Sequence, residues 1–286
     1  MPITRYSTGA IMATLMGGLV TPVHGQPLAE TYTPYQKLLN DYLVEQRTDT
    51  GGLVSAFDYE AALEDPKTSK RLKQQNRLLA KFDTDTLDSR EKALAFWNNA
   101  YNYFMIETIL TETVDGGLVD SVWDYGGRYN PFRDSVFQWQ EHRIGDAHYS
   151  LDQIEKDILL GESFENKGWK EARVHFTVNC ASVGCPPLRE TLYTADNIER
   201  LMTENTRFAM QTERQMRIEG DTLYLSQLFD WYSGDFEAEG GSIRDFIGDY
   251  TGQDITEAVA DTDTIRFIDY DWSLNKPSNF PELKTR

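Results

Sequence analysis

The chain has 286 residues, of which 40% are hydrophobic and 26% are charged. This composition is typical of a folded globular protein and excludes a fully disordered one. Asp and Glu number 46 against 28 Lys and Arg, so the formal net charge is −18 at pH 7. Because this excess of negative charge repels phosphate backbones, we expect no binding to nucleic acid.

Residues 1–25 have the pattern of a secretory signal peptide. Arg5 is their only charged residue, the stretch 6–20 is apolar, and Val23 and Gly25 suit a cleavage site that follows Gly25. A membrane helix needs about 20 apolar residues, and no stretch of the sequence is that long. We therefore expect an exported protein, periplasmic or extracellular, that does not insert into a membrane. A disordered N-terminus is the alternative.

The residues after this segment predict a helix-rich chain without repeats or low-complexity linkers. Apolar periodicity predicts helices over 33–46, 69–82, 89–111, 152–160, 194–212, 228–232, 242–250 and 255–260. Turn residues predict two hairpins, 136–144 with 147–151 and 216–218 with 222–225, and single strands are predicted over 173–178 and 264–270. This irregular order predicts an α+β fold with a small, largely antiparallel sheet.

The helix predicted over 89–111 has the strongest pattern. Asp88 can cap its N-terminus, and Glu91 follows three residues later. Leu94 and Tyr101 lie on one side, and Phe96 lies on another. A helix that is apolar most of the way round is buried, so we expect this helix at the centre of the fold.

Four sequence motifs occur in this helix and in the residues that follow it. They are AFWNNAYN at 95–102, LDQIE at 151–155, VHFTVNCASVGCPPL at 174–188 and YDWSLN at 270–275. Together they resemble the family known as domain of unknown function 547, from about Phe82 to Asn275. Lys156 and Leu160 stand where many members have His and Arg, and Asn98 occupies a usually apolar position. The resemblance implies an architecture and a set of residues but no reaction.

The N-terminal pattern and the resemblance together divide the chain into four segments. We expect a signal peptide over 1–25 and an N-terminal helical segment over 26–81 that packs on the main domain. The family-like α+β domain then spans 82–276, and a C-terminal tail spans 277–286.

Cys180 and Cys185 are the two cysteines of the chain, and they suggest two kinds of chemistry. In the first, Cys180 is a nucleophile, His175 is its base, and Glu155 or Asn99 orients the imidazole. On a straight strand His175 and Cys180 would face opposite sides, so this hypothesis needs a turn near Cys180. No His follows His175 in the sequence, so the order of residues differs from that of papain-type enzymes.

In the second reading, Cys180 and Cys185 form a structural disulfide, which export would permit. So small a loop would contribute about 2 kcal/mol to stability. A metal site made of His175 and the two sulfurs is a weaker alternative, because no further Cys or His cluster completes it. We expect no cofactor and no bound metal.

The motifs also supply candidate substrate-binding residues, which are Asn102, Tyr101, Ser182 and Asp271. Asn99 and Asn102 share one helix face, where they could instead satisfy the backbone of a neighbouring loop. Glu155, Asp230 and Asp235 could form a glycosidase pair, but the many acidic residues make that choice arbitrary. We therefore expect a cysteine-dependent hydrolase or acyl transferase acting on amide or ester bonds, with a small-molecule or peptide ligand. The alternative is a non-catalytic binding or scaffold module.

Overall fold

The computed structural model describes residues 28–128 and 133–283. Its α-helices are α1 Leu28–Thr31, α2 Thr33–Tyr42, α3 Tyr59–Glu64, α4 Pro66–Leu79, α5 Arg90–Thr111, α6 Glu162–Asn166, α7 Ile198–Met210, α8 Leu228–Trp231, α9 Ser233–Gly240, α10 Ile243–Tyr250 and α11 Gln253–Ala260. Its strands are β1 Leu43–Arg47, β2 Leu53–Phe57, β3 His142–Ile144, β4 Ala147–Tyr149, β5 Met216–Glu219, β6 Thr222–Ser226 and β7 Thr264–Ile268. The predicted signal peptide lies outside the described residues.

The strands form three small sheets, and the α+β prediction is confirmed. β1 pairs with β2, β3 pairs with β4, and β5 and β6 form a hairpin, all antiparallel. β7 joins the edge of β6 in parallel, because α8 to α11 carry the chain back across this sheet between the two strands. The two predicted hairpins are confirmed, although the first is shorter than predicted.

Helix α5 is buried on nearly every side, as its apolar pattern predicts. Its N-terminal cap is Ser89, whose side chain accepts from the Lys92 N–H, and not Asp88. Asp88 instead forms an ion pair with the Lys92 amino group at 2.6 Å. The neighbouring residue thus takes the capping position, and the carboxylate stays near the positive end of the helix.

Two large apolar clusters form most of the core, and a third cluster, of Val54, Ala56, Val183 and Phe280, is small. The larger cluster surrounds α5 and includes side chains of α2, α3 and α4, so these helices share one core with α5. The smaller cluster lies among β5, β6 and helices α8 to α11 and is rich in phenylalanine. Val174 belongs to the first cluster and Phe176 to the second, so the segment between them lies where the clusters meet.

One predicted strand is wrong, and two predicted helices are present but differ in type or in length. Residues 173–178 are not a strand: the 3-10 helix Ala172–Phe176 covers most of them, and its turn buries Val174 and Phe176 in different clusters. A short buried apolar run does not distinguish the two conformations. The helix predicted from 152 is a π-helix, Gln153–Leu159. The predicted helix over 33–46 ends at Tyr42, where the chain becomes β1.

His142 on β3 should make the fold sensitive to acid. Its ring is buried and stacks on Phe104 at 4.4 Å, and burial lowers its pKa to about 4. Glu107 lies 3.8 Å from Nδ1, but burial raises the pKa of that carboxyl, so it offsets little of this effect. Because an unfolded His titrates near 6.5, stability present above that pH is lost as the pH falls towards 4, by about 3 kcal/mol.

The substitution His142→Phe keeps a ring on Phe104 and removes the titrating group. We expect urea unfolding at pH 7 and pH 4 to show that this variant loses about 3 kcal/mol less than the parent protein. His148→Phe, at an exposed position of β4 in the same hairpin, is the matched control. An acid loss that is the same in all three proteins would contradict the assignment to His142.

Candidate functional site

An open cleft of about 250 Å³ lies where the two apolar clusters meet. Aromatic rings form its walls, and three of them belong to tryptophans, Trp123, Trp231 and Trp272. The polar groups that line it are Asp152, Glu155, Lys156, His175 and both cysteines. The cleft therefore brings residues of all four motifs, at 95–102, 151–155, 174–188 and 270–275, to one place.

Helix α5 positions the segment that carries the cysteines. The Asn102 side chain donates to the Thr177 carbonyl at 2.8 Å and accepts from the Asn179 N–H at 2.8 Å. Asn179 in turn accepts from the Ala181 N–H and from the Asn275 amide, both at 2.9 Å. These buried amides provide hydrogen-bond partners for backbone groups that belong to no helix or strand. Within this segment Ala181 has a φ of +59°.

The sulfurs of Cys180 and Cys185 lie at disulfide-bonding distance, with their Cα atoms 6.3 Å apart. The Tyr270 hydroxyl lies 3.2 Å from each sulfur. Its ring passes so close to Gly184 that an added Cβ there would lie 2.9 Å from a ring carbon. Glycine at 184 therefore allows the tyrosine of the last motif to cover the cysteine pair.

His175 is bound to a carboxylate that the sequence did not single out as its partner. Its Nε2 lies 2.9 Å from Asp235 Oδ2, and Lys170 Nζ lies 2.9 Å from the other oxygen of the same carboxylate. The hydrogen bond with His175 is the largest contribution that lowers the pKa of Asp235. The ring stacks on Tyr232 with centroids 4.0 Å apart, and only 1% of the His175 side chain is exposed. Its Nδ1 is buried without a hydrogen-bond partner.

Glu155 lies on the π-helix and is also buried, with 8% of its surface exposed. The Tyr232 hydroxyl donates to Glu155 Oε1 at 2.9 Å. Burial and, next, the negative charge of Glu155 raise the pKa of Tyr232 well above its usual range, so this hydroxyl remains a donor. Tyr232 thus touches Glu155 with its hydroxyl and His175 with its ring.

The predicted orienting residues contact other groups. Asn99 holds the Tyr193 backbone, accepting from its N–H and donating to its carbonyl. Glu155 accepts a hydrogen bond from Tyr232. Neither Asn99 nor Glu155 is hydrogen-bonded to His175, and Asp235 occupies the predicted orienting position. His175 and Cys180 line the same cleft, but the imidazole makes no hydrogen bond to either sulfur.

The predicted substrate-binding residues divide into two groups. Tyr101 lines the cleft, and burial raises the pKa of its hydroxyl. Asn102 and Ser182 are buried among backbone groups, and the Ser182 hydroxyl lies 3.5 Å from Cys180 Sγ. Asp271 caps the turn before Ser273, whose N–H donates to it at 2.9 Å. Asn102 and Asp271 therefore support the loops around the cleft and do not line it.

Three residues of the site lie outside the four motifs. Trp231 and Tyr232 line the cleft, and Asp235 binds His175. Asp235 is one of many acidic residues, and no spacing relates it to His175, which precedes it by 60 positions. The sequence DWYSGDF at 230–236 does place aromatic and acidic residues together, at the end of the predicted helix 228–232 and just after it. This grouping is the sequence feature that could have indicated the site. Its relation to His175 depends on the packing of α8 and α9 beside the 3-10 helix, which the sequence does not show.

No group of three or more His, Cys, Asp or Glu side chains is arranged to hold a metal ion within 28–128 and 133–283. None of the helices in the same ranges has both the length and the apolar surface to cross a bilayer.

Comparison with known proteins supports the resemblance carried by the motifs. Neither the curated proteins nor the solved structures contain a match to this chain. One family model does match, over residues 84–208, and this range contains three of the four motifs. The fourth motif, at 270–275, follows the matched range and completes the cleft from the other side. Over residues 84–208 the chain thus resembles the family described as "Protein of unknown function, DUF547", as its motifs predict.

Proposed function

We propose that the protein is a cysteine-dependent hydrolase or acyl transferase that acts on amide or ester bonds, with Cys180 as nucleophile and His175 as base. The observation that supports this proposal is the hydrogen bonding of the two ring nitrogens of His175. Asp235 holds Nε2, and Nδ1 is buried, lacks a hydrogen-bond partner and belongs to a ring that lines the same cleft as Cys180. An imidazole held by an acid at one nitrogen has its other nitrogen available for proton transfer.

The reaction requires the cysteine pair in its reduced form. A dithiol reductant supplies two electrons and two protons and is itself oxidised to a disulfide. The Cys180 thiol then gives its proton to His175 Nδ1 while sulfur attacks the carbonyl carbon of the substrate. The C–N or C–O bond breaks, and the leaving amine or alcohol takes that proton. Water, or an acceptor, then gives a proton to Nδ1 as it attacks the thioester, and this proton returns to sulfur.

We also propose that the protein is exported, as its first 25 residues suggest. A cysteine pair at disulfide distance supports this, because such pairs persist in oxidising compartments. In that compartment the oxidised form would be the resting form, and the ligand would be a small molecule or a peptide end that fits the cleft.

Acylation of the reduced protein by an activated ester tests this function. We expect p-nitrophenyl acetate to leave an acetyl group on Cys180, located by peptide mass spectrometry. Cys180→Ala keeps Cys185 and should carry no acetyl group on sulfur, which makes it the matched control. Equal acetylation of both cysteines, or none on either, would contradict the proposal.

A second function, a non-catalytic binding or scaffold module, is favoured by one observation. The sulfurs lie at bonding distance, and the Tyr270 hydroxyl contacts both, which suits a permanent structural link. The same acylation experiment distinguishes the two functions, because a structural pair predicts no acetyl-cysteine even after mild reduction.

A further inference from the structure

Two carboxylates, of Asp152 and Glu155, and one lysine, Lys156, line the cleft, and Asp235 lies behind it against His175. Lys156 pairs with Asp152 at 2.8 Å, and Lys170 pairs with Asp235 at 2.9 Å. Glu155 is buried in the cleft wall, and none of the ion pairs within 28–128 and 133–283 includes it. A buried carboxylate is costly without a cationic partner, even when a hydroxyl donates to it.

The surroundings of Glu155 are aromatic. Tyr101, Tyr232, Tyr270, Trp231 and Trp272 line the same cleft. Trp231, Tyr270 and Trp272 form a continuous group, with centroid distances of 5.0, 4.5 and 5.9 Å between them. The faces of such rings carry negative potential and attract organic cations, most strongly where water is excluded.

The protein's own Arg128 already uses this property at the edge of the cleft. Its Cζ lies 5.4 Å from the Trp123 ring and 5.5 Å from the Trp272 ring. Both distances are within the roughly 6 Å over which a guanidinium is attracted to a ring face. The Trp123 and Trp272 rings thus already attract one cation, while Glu155 lies on the wall shared with Tyr232.

We propose that the cleft binds an organic cation, an ammonium or alkylated ammonium group, with the rings around its substituents and the carboxylate of Glu155 as its counter-ion. In the context of the proposed function, this group belongs to the substrate or to an amine acceptor of the acyl group. The cleft volume of about 250 Å³ lies just below the roughly 300–1,000 Å³ of drug-sized sites, so the bound group is small.

Choline chloride is a suitable probe, and its neutral carbon isostere, in which a tert-butyl group replaces trimethylammonium, is the matched control ligand. We expect isothermal titration calorimetry on the oxidised wild-type protein to show about tenfold tighter binding of choline than of the isostere. Because the oxidised protein has no free thiol, this result does not depend on whether Cys180 is a nucleophile. Failure of acylation and failure of cation binding are therefore separate outcomes.

Two variants locate the site. Glu155→Gln can still accept from Tyr232 but lacks the charge, so we expect it to remove the preference for choline. Glu162→Gln removes an equal charge from an exposed position outside the cleft and should keep the preference. Trp231→Ala, at a side chain that is 45% exposed, should weaken choline binding severalfold without disturbing the core. Equal affinity for both ligands, no binding, or equal effects of the two glutamate substitutions would overturn the proposal.

Discussion

Replacing Asp235 by Asn in a reduced Cys185→Ala protein should slow the alkylation of Cys180 at pH 6.5 by about tenfold. The Asp235 carboxylate holds His175 Nε2 and so leaves Nδ1 as the nitrogen that accepts the proton of the Cys180 thiol in the proposed reaction. Without it the thiol pKa should return towards about 8.5, which lowers the thiolate fraction at pH 6.5 by roughly 50-fold. A thiolate of higher pKa is intrinsically more reactive, and this recovers part of the loss.

Iodoacetamide kinetics measure this effect, and Asp230→Asn is the matched control. Asp230 is an exposed carboxylate on α8, five positions from Asp235, and it does not line the cleft. We expect its removal to change the rate less than twofold. If both substitutions slow alkylation equally, the effect comes from net charge and not from the bond between Asp235 and His175.

Replacing Asn102 by Leu should destabilise the fold by about 3 kcal/mol. The Asn102 amide satisfies the buried Thr177 carbonyl and the Asn179 N–H, and leucine satisfies neither. Each buried group left without a partner costs about 1–3 kcal/mol. Urea denaturation at neutral pH measures the loss as a shift of the midpoint at an unchanged slope.

Asn166→Leu provides the control, since Asn166 ends α6 at an exposed position. There we expect a change within about 0.5 kcal/mol. Similar losses in the two variants would mean that the Asn102 hydrogen bonds do not hold the cysteine segment.

The long amphipathic and buried segments of this fold could be predicted from sequence. Helix α5 was predicted at nearly its observed length because its apolar residues wrap the whole surface, and Gly145 and Gly220 marked both hairpin turns with positive φ. The hypothesis of a catalytic site combined residues of separate motifs, and residues from all four motifs line one cleft.

The rest of the site depends on tertiary contacts that no local pattern encodes. The segment 172–176 winds into a 3-10 helix, whose turn buries Val174 and Phe176 in separate clusters. The helix ends near Thr177, and the loop after it brings Cys180 to the cleft that His175 lines. Asp235 reaches His175 only because α9 packs beside that helix, and one carboxylate among many carries no signal of this in the sequence.

The pH dependence of thiol ionisation in the two single-cysteine variants tests the catalytic account most directly. The Tyr270 hydroxyl lies equally close to both sulfurs, so it should not distinguish them, whereas we propose that His175 serves only Cys180. Ultraviolet titration of the thiolate should therefore give a pKa for Cys180 in Cys185→Ala about two units below that for Cys185 in Cys180→Ala. Two equal values near 8.5 would contradict a nucleophilic role for Cys180 and leave the pair as a structural link.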